Sequence, residues 1–514
     1  MGTEWRRVIW PDDSVRRFLH LLLLLYIIKQ VLIAVIMPPF TGHDEVAHFQ
    51  YIRTVATEFR IPIIPDLDYW RANRQQEGPT TGGDFLDADL YPWAPYVLDW
   101  FTYGSDDPRH NAYLDNPIYA VTFPNFHTNN MRDSWPNGWQ YAANHPPLWY
   151  VISAPVYLAT DWMSLENQMI ILRFVAIPFG LLAVIGTWLM ARALFPGSAF
   201  VAITASAFVA FQPQVSYEAS MINNDILVIG FGTLLLALLV RGMRFGFPRR
   251  LVIAIGVLFG LMLLSKGSAL VFAAPIAIMM IAGIGWRQWR AWMAKGVLAA
   301  AIGFGMSAPW YIFLYRTYGN FSGLDQIAAL QYWATYDQGL DRPSVWDLVW
   351  NKHFAVMRWN ETWGEFGWRK IPLTDTMLWV IGIPSLVLLA GFLYYAVKLI
   401  ARRQRDSAPR GSVQNPDTWQ RWAMGALFLT CVLGYAAVIQ FGLRFVLTQA
   451  RYFFPMIPAA AVLLMIGLHE IVPARGRTYA QVIVLAALIA LNIYIYSAYV
   501  VPYWYVRPDS PLLS

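Results

Sequence analysis

Long apolar runs separated by short polar stretches fill most of the chain from residue 18 to residue 500. Most are about 17–25 residues long, the length that an α-helix needs to cross roughly 30 Å of hydrocarbon. They lack the alternation over about ten residues that is typical of membrane β-strands. The pattern therefore predicts an all-α, polytopic bundle of transmembrane helices. We expect about eleven spans, near residues 18–37, 170–192, 198–215, 224–241, 250–265, 267–285, 295–314, 376–399, 421–441, 451–469 and 479–500.

Composition supports the same class. Hydrophobic residues make up 57% of the 514 residues, charged residues only 14%, and the mean hydropathy is +0.40. Soluble chains have about 45–50% apolar and about 25% charged residues, so a set of soluble domains is excluded. The net charge is +6, but the basic residues flank the apolar runs. That placement predicts contact with the lipid bilayer and no nucleic-acid partner.

The basic residues also predict an orientation. Clusters at residues 6–17, 241–250, 287–295, 398–405 and 475–477 fall on one side of the membrane if the spans are correct. Cytoplasmic loops are enriched in Lys and Arg, so we expect a cytoplasmic N-terminus. Two long loops, residues 38–145 and 315–375, then face outward within a single membrane domain, residues 1–514. The first holds 14 acidic and 6 basic residues.

Residues 146–162 follow the first outer loop and are too short to be a further span. Their uninterrupted apolar part, Leu148–Ala159, contains Ser153 and Pro155. As a helix it would reach about 18 Å at roughly 1.5 Å per residue, short of a bilayer core. We therefore expect an interfacial helix at the outer surface.

The densest polar cluster follows the first span, at residues 43–51. Asp44 and His48 lie four residues apart, so they share one face of a helix. A carboxylate one turn from an imidazole can act as a general base or as part of a metal site. A helix N-terminus favours acidic residues in any case, which accounts for the acidic pair but not for the histidines. We predict catalytic roles for Asp44, Glu45 and His48; a zinc protease motif is excluded because Asp44 replaces its first histidine.

Further polar residues lie at the predicted outer ends of other spans. Charged groups at membrane depth gather at cavities or interfaces, and cations there suit a lipid-linked phosphate. Individually, such residues can also snorkel or cap a helix. Tryptophans in the second outer loop can stack on sugar rings, although tryptophan is common at any membrane interface. The candidates are His145, Asn223, Asn224, Asp225, Lys266, Arg444, Arg451, Trp363 and Trp368.

Taken in their order along the chain, these polar motifs resemble those of integral-membrane glycosyltransferases of the GT-C fold that use polyprenyl-phosphate sugars. The chain is most similar to the bacterial branch with aminoarabinose and protein mannosyl transferases, and within it to uncharacterised relatives. The likeness extends from the first span to the tenth. The matching motifs are Asp44-Glu45, His145-Pro146-Pro147-Leu148, Asn223-Asn224-Asp225, Leu264-Ser265-Lys266-Gly267, Trp363-Gly364-Glu365-Phe366-Gly367-Trp368 and Gln449-Ala450-Arg451-Tyr452-Phe453-Phe454-Pro455.

The resemblance implies transfer of a sugar from a polyprenyl-phosphate donor to a glycan, lipid or protein acceptor. It places the reaction on the outer face of the cell (inner) membrane, with Asp44 as the base. It leaves open whether a divalent cation takes part. A non-catalytic membrane subunit and a transporter of lipid-linked glycans remain as alternatives.

Binding roles are expected for the other candidates. By the resemblance, Lys266 and Arg451 would hold the donor phosphate, and we expect Arg444 and His145 to bind it as well. His145 stands where the aminoarabinose branch has a lysine before the two prolines. We ourselves expect the substrate contacts to come from Asn223, Asn224, Asp225, Trp363 and Trp368.

Overall fold

The computed structural model describes residues 13–72, 79–80, 82–87, 89–90, 139–330, 335–336, 341–367, 371–401, 408–446 and 448–506. The first nine helices are α1 (Asp13–Ile36), α2 (Glu45–Glu58), α3 (Leu67–Ala72), α4 (Leu148–Ala159), α5 (Leu165–Arg173), α6 (Ile177–Leu194), α7 (Ala199–Phe211), α8 (Pro213–Glu218) and α9 (Asp225–Phe245). The others are α10 (Arg249–Leu263), α11 (Ala273–Ile284), α12 (Trp289–Tyr318), α13 (Leu324–Leu330), α14 (Phe354–Trp363), α15 (Asp375–Ile400), α16 (Thr418–Gly442), α17 (Ile457–Ile471) and α18 (Arg477–Ile495).

Short elements complete the described chain. Two antiparallel pairs of two-residue strands are β1 (Pro79–Thr80) with β2 (Gly83–Asp84) and β3 (Glu365–Phe366) with β4 (Ile371–Pro372). The 3-10 helices are Phe174–Ala176, Gly267–Phe272, Ala450–Met456 and Ala474–Gly476, and the π-helical turns are Asp347–Asn351, Tyr496–Val500 and Pro502–Val506.

The predicted class, an all-α polytopic membrane protein, is confirmed. Among the described residues, nine helical stretches are long and apolar enough to cross a membrane. They are Val15–Ile36, Leu165–Leu194, Asp225–Phe245, Gly267–Ile284, Trp289–Tyr318, Asp375–Ile400, Thr418–Gly442, Ala450–Ile471 and Ala474–Val506.

Each of the eleven predicted spans contains a helix, but the helices of two of these spans, α7 and α10, belong to none of the nine long stretches. Helix α7 has 13 residues and α10 has 15, against the roughly 20 that a bilayer core requires. The apolar run of α7 is interrupted because Gln212 is extended and Pro213 begins a new helix. A residue before proline is disfavoured in the α conformation, so the run divides there. The count of eleven spans and their orientation stay predictions.

The bundle has a buried centre and a periphery. In the most apolar 18 residues of each span, 78% are buried in Asp225–Phe245 and 72% in Ala450–Ile471, but only 22% in Asp375–Ile400. Helix α9 packs closely against α6, where a Cβ on Gly230 would come within 2.5 Å of the carbonyl oxygen of Phe179. Small residues allow such approach between membrane helices.

The buried helices have chemically different ends. Helix α9 begins at Asp225, and Arg244 in its last turn donates to the carbonyl of Ala193. The Ala450–Ile471 stretch begins next to Arg451, and Glu470 near its far end pairs with Lys398. At about 1.5 Å per residue, a 21-residue helix separates its ends by roughly 30 Å. The candidate residues Asp225 and Arg451 therefore lie at the end of the bundle opposite one of the basic clusters.

A twelve-residue helix, α4, covers the apolar part, Leu148–Ala159, of the segment 146–162 that we predict to be interfacial. It packs on α2, burying Trp149 and Tyr150, while Val151 and Leu158 are exposed. Its location at the membrane surface stays a prediction. In the first outer loop, residues 73–78, 81, 88 and 91–138 lie outside the described residues.

Candidate functional site

The turn that carries Asp44 connects α1 to α2. Asp44 immediately precedes α2 and has φ 58° and ψ 15°, in the left-handed region. Among residues with a side chain, aspartate and asparagine enter this region most readily. The carboxylate makes no capping hydrogen bond to α2. It points instead toward the 3-10 helix Ala450–Met456, where it meets the guanidinium of Arg451.

Four charged side chains from four separate segments form one connected set, which we name the four-charge cluster: Asp44, Asp225, Lys266 and Arg451. Arg451 pairs with Asp44, and its Nη1 lies 3.5 Å from Oδ2 of Asp225. The other oxygen of Asp225 pairs with the ammonium of Lys266. Side-chain exposures are 16% for Asp44, 12% for Lys266, 6% for Arg451 and 3% for Asp225. The cluster is therefore largely withdrawn from water.

Rings border the cluster. The Nδ1 atom of His48 lies 2.8 Å from the hydroxyl of Tyr150, and the His48 ring stacks on His145 with centroids 5.6 Å apart. Tyr51 stacks on Tyr150 at 3.5 Å and donates its hydroxyl to the His145 carbonyl at 3.2 Å. Both candidate histidines are thus brought to one wall of the site.

A fifth ring, that of Tyr452, lies against the two cations. Its centroid is 4.6 Å from Lys266 Nζ and 5.7 Å from the Arg451 guanidinium carbon. Cations over an aromatic face gain electrostatic energy from the ring. The ring therefore helps to keep both cations close to the carboxylates of Asp44 and Asp225.

Protonation follows from this environment. Burial raises the pKa of Asp44, but Arg451 and the nearby histidines outweigh it and lower the pKa to about 2. Burial lowers the pKa of His48 to about 4, against the opposing attraction of Asp44. Burial, aided by Lys266, also lowers the pKa of His145 well below its usual range. At neutral pH, Asp44 is a carboxylate and both imidazoles are uncharged.

Glu45, the neighbour of Asp44 in sequence, is fully buried in a different environment. Arg173 donates to both of its oxygens, at 2.9 and 2.7 Å. The backbone N–H groups of Gly42 and Ile222 also donate to it, at 2.7 and 2.9 Å. Glu45 therefore fixes the turn on which Asp44 sits, and its carboxylate is directed away from the four-charge cluster.

The two candidate asparagines hold the backbone before α9. Asn223 donates to the carbonyl of Glu218 at 2.7 Å and accepts from the N–H of Ile226 at 3.1 Å. Asn224 donates to the carbonyl of Ser265 at 2.8 Å. The bond from the N–H of Ile226 ties Asn223 to the first turn of α9, and the Asn224 bond joins the start of α9 to the segment that carries Lys266. Both asparagines thus position Asp225 and Lys266 against each other.

The remaining candidates have partners outside the four-charge cluster or lie outside the described residues. Arg444 pairs with Asp325 on α13. Trp363 is only 6% exposed and packs edge-on against Phe208, so neither face of its ring is open for a sugar. Trp368 lies outside the described residues.

The acidic and histidine side chains described at the site do not form a metal-binding group. Within the described ranges, no group of three or more His, Cys, Asp or Glu side chains is arranged to hold a metal ion. In the four-charge cluster, both carboxylates are paired with cations. These residues do not fit a divalent cation, and we assign no step to one.

Sequence reasoning missed two buried pairs beside the site. Arg173 interrupts the apolar run of the second predicted span, and a charge at that depth is a signal of function by its energetic cost. His43 lies 2.6 Å from Glu218, which is itself fully buried on α8. Glu218 precedes the Asn-Asn-Asp motif by only a few residues, and no pattern in the sequence distinguishes it.

Comparison with known proteins supports the resemblance. Residues 144–313 match a family model described as dolichyl-phosphate-mannose-protein mannosyltransferase. The chain is similar to the apo structure of the Archaeoglobus fulgidus oligosaccharyltransferase, with 15% identity, a TM-score of 0.50, and coverage of 94% of this chain and 56% of that one. The same enzyme, AglB, in complex with an inhibitory peptide and a dolichol-phosphate gives 15% identity, a TM-score of 0.45 and coverage of 92% and 54%.

A third structure is ArnT from Cupriavidus metallidurans bound to undecaprenyl phosphate, with 15% identity, a TM-score of 0.44 and coverage of 82% of this chain and 65% of that one. This chain thus spans between 54% and 65% of the length of these structures. No curated protein gives a significant sequence match. The predicted likeness to the GT-C fold is confirmed by the family match and by the shared fold of the oligosaccharyltransferase.

Proposed function

We propose that this protein is a membrane glycosyltransferase that moves a sugar from a polyprenyl-phosphate donor to an acceptor hydroxyl, with the four-charge cluster as its active centre. The observation that carries the proposal is the meeting of Asp44, Asp225, Lys266 and Arg451 from segments far apart in sequence. Buried charges are costly unless they are paired or used, and they concentrate at functional sites. The matched family and the two neighbouring enzymes, whose structures hold a lipid phosphate, point to the same chemistry.

In this proposal, Lys266 and Arg451 receive the phosphate of the donor. The Nε of Arg451 is buried and has no hydrogen-bond acceptor among the described residues. A phosphate oxygen would satisfy this donor, and charge-assisted bonds to phosphate are about twice as strong as neutral ones. Both cations also lie over the Tyr452 ring, which limits where they can move.

Asp44 is then the base. The acceptor heteroatom attacks the anomeric carbon, the bond from that carbon to the phosphate oxygen breaks, and the acceptor proton passes to Asp44. Polyprenyl phosphate leaves with the bonding electrons, and its charge is stabilised by the two cations. In the free protein, Arg451 keeps Asp44 a weak base. A phosphate that draws Arg451 toward itself would raise the basicity of Asp44 at the moment the donor is in place.

The site would open to the outer face of the cell membrane. The four-charge cluster lies at the end of the bundle opposite the Arg244 end of α9, and the positive-inside rule assigns such basic ends to the cytoplasm. The sugar and the acceptor (a glycan, a lipid or a protein) would then enter beside α2 and α4.

Mass spectrometry of lipids that copurify with the detergent-solubilised protein tests this proposal. We expect polyprenyl phosphate or its glycoside with the wild-type protein and with Asp44→Asn, which keeps both cations. We expect loss of that lipid from Lys266→Ala/Arg451→Ala. The matched control is Arg290→Ala/Arg410→Ala, which removes two exposed cations and should retain the lipid.

Two outcomes would contradict the assignment of the donor site. If no preparation retains a polyprenyl species, even after undecaprenyl phosphate is added to the detergent solution, the donor assignment is wrong. If the lipid is retained equally by both double variants, it is bound elsewhere on the protein.

A further inference from the structure

Asp225 has an unusual position within the four-charge cluster, because it contacts both cations. One of its oxygens pairs with Lys266, and the other lies 3.5 Å from Nη1 of Arg451. That second oxygen is buried and accepts no hydrogen bond among the described residues. It is therefore held to Arg451 by charge alone. Asp44, by comparison, pairs with Arg451.

The charges of the cluster balance. Two carboxylates face two cations, and the adjacent His48 and His145 are uncharged at neutral pH. A lipid phosphate that enters this site brings additional negative charge into a region of low water content. The phosphate must therefore draw the cations away from carboxylates that already hold them, because like charges repel strongly where the dielectric constant is low.

The start of α9 holds Asp225 beside the two cations that a phosphate would need. Asn223 accepts a hydrogen bond from the N–H of Ile226 in the first turn, and Asn224 ties the helix start to the Ser265 carbonyl, next to Lys266. The helix N-terminus itself stabilises a negative charge in the first turn. The backbone at Asp225 is thus fixed beside Lys266, in a position where a negative charge is favoured.

We propose that Asp225 competes with the phosphate for Lys266 and Arg451 and thereby sets how readily polyprenyl phosphate, the product, leaves the site. This inference rests on the proposed function and adds a specific role for Asp225. After transfer of the sugar, the product phosphate carries more negative charge than the donor diester did. When the Asp225 carboxylate pairs again with Lys266 and Arg451, it offsets the stronger attraction of these cations for the product phosphate. Asp225 acts on the phosphate through the cations and is not assigned a contact with the reacting atoms.

Equilibrium binding of farnesyl phosphate to the detergent-solubilised full chain tests this role, with farnesol as the probe that lacks the phosphate. Removing a carboxylate that is ion-paired to both cations should tighten phosphate binding by about tenfold or more. We therefore expect a lower Kd for farnesyl phosphate with Asp225→Asn and unchanged binding of farnesol. Asp225→Ser is the second neutral variant, because serine also suits the start of a helix.

Asp325→Asn is the matched control. It removes one carboxylate from an arginine pair, as Asp225→Asn does, but at the Arg444 pair on α13. Its Kd for farnesyl phosphate should equal that of the wild-type protein, which excludes a general effect of net charge. Turnover gives a second readout: at saturating donor, Asp225→Asn should lower the steady-state rate more than the rate of the first turnover.

The outcomes separate the two proposals. If the wild-type protein binds farnesyl phosphate and both Asp225 variants bind it equally or more weakly, Asp225 merely orients the cations and the inference is overturned. If the wild-type protein binds farnesol and farnesyl phosphate alike, phosphate recognition itself is absent, and the proposed function fails with it. Tighter binding by Asp325→Asn as well would also overturn the role assigned to Asp225.

Discussion

Arg173 and Glu45 form a fully buried ion pair at the base of the turn that carries Asp44. Arg173 donates to both carboxylate oxygens and also to the carbonyls of Ala34, Met37 and Pro38, at 2.9, 2.6 and 2.7 Å. All of its donor groups are thereby used. The pair joins the end of α1 to the start of α2 and, through the N–H of Ile222 on Glu45, to the segment before α9. It therefore holds the two carboxylate-bearing segments of the site in one arrangement.

Removing one member of this pair should destabilise the fold. We expect Glu45→Gln to lower the free energy of unfolding by about 3–5 kcal/mol, because Arg173 remains buried without its counter-charge. Thermal unfolding followed by intrinsic tryptophan fluorescence measures the change. Arg410→Met is the control, since Arg410 is 91% exposed at 4.0 Å from Asp417 and such surface pairs contribute about 0–1 kcal/mol. Equal melting temperatures for Glu45→Gln and the wild type would contradict this account.

Asp44→Asn should abolish most activity while leaving the fold intact. Loss of a general base typically reduces the rate by about 10²- to 10⁴-fold. The measurement is sugar transfer from a polyprenyl-phosphate donor, alongside the melting temperature. Asp325→Asn, which neutralises an exposed carboxylate, should keep the wild-type rate. Undiminished transfer by Asp44→Asn would remove Asp44 from the mechanism, whereas a wild-type protein without activity on any donor would favour a non-catalytic subunit.

Arg444 and Arg451 should behave differently, although both were candidates for holding phosphate. Arg444 pairs with the exposed Asp325, whereas Arg451 is buried between two carboxylates. We expect Arg451→Met to weaken binding of farnesyl phosphate by at least about tenfold, the cost of one lost charge-assisted contact. Arg444→Met should bind it with the wild-type Kd. Equal losses for the two variants would mean that Arg444 contributes to phosphate binding as much as Arg451 does.

Stability should fall on mild acidification because of the buried histidines. His48 and His145 have folded-state pKa values below the roughly 6.5 of an exposed histidine, so between about pH 4 and 6.5 the unfolded chain binds more protons than the folded one. Stability from these residues is complete above that window and is lost as the pH falls through it. We expect the melting temperature of the wild type to drop from pH 7 to pH 5, and His48→Gln/His145→Asn to show a smaller drop. An equally steep drop in the double variant would assign the effect to other groups.

Trp363 should matter for packing rather than for sugar binding. Its ring is buried against Phe208 and close to Trp359, with centroids 6.0 and 5.7 Å away. We expect Trp363→Ala to lower the free energy of unfolding by about 3–5 kcal/mol, as for other buried aromatic residues. The conservative Trp363→Phe should retain the KM for donor and acceptor. A raised KM in Trp363→Phe with an unchanged melting temperature would restore the ring to the substrate site.

Several parts of the site are predicted by the pattern of the sequence. The i, i+4 spacing predicted that Asp44 and His48 lie on one side of a helix, and the apolar runs put Lys266 and Arg451 at the ends of spans. The structure brings all four to one region, together with His145 and Asp225. It places Arg444 and Trp363 in other surroundings, since residues at the same depth in a bundle can face different neighbours.

The class of fold follows from the sequence alone, because a chain that crosses hydrocarbon needs long apolar helices and such runs are visible in the order of residues. The sequence also determined the length of α4, whose bounds follow from its apolar run. The tertiary structure alone decided which charges are partners. Glu45 and Arg173 are 128 residues apart and Asp44 and Arg451 are 407 apart, so their pairing depends on how the helices pack. Adjacent Asp44 and Glu45 look alike in sequence, yet the left-handed turn at Asp44 sends one to Arg451 and leaves the other to hold the turn in place.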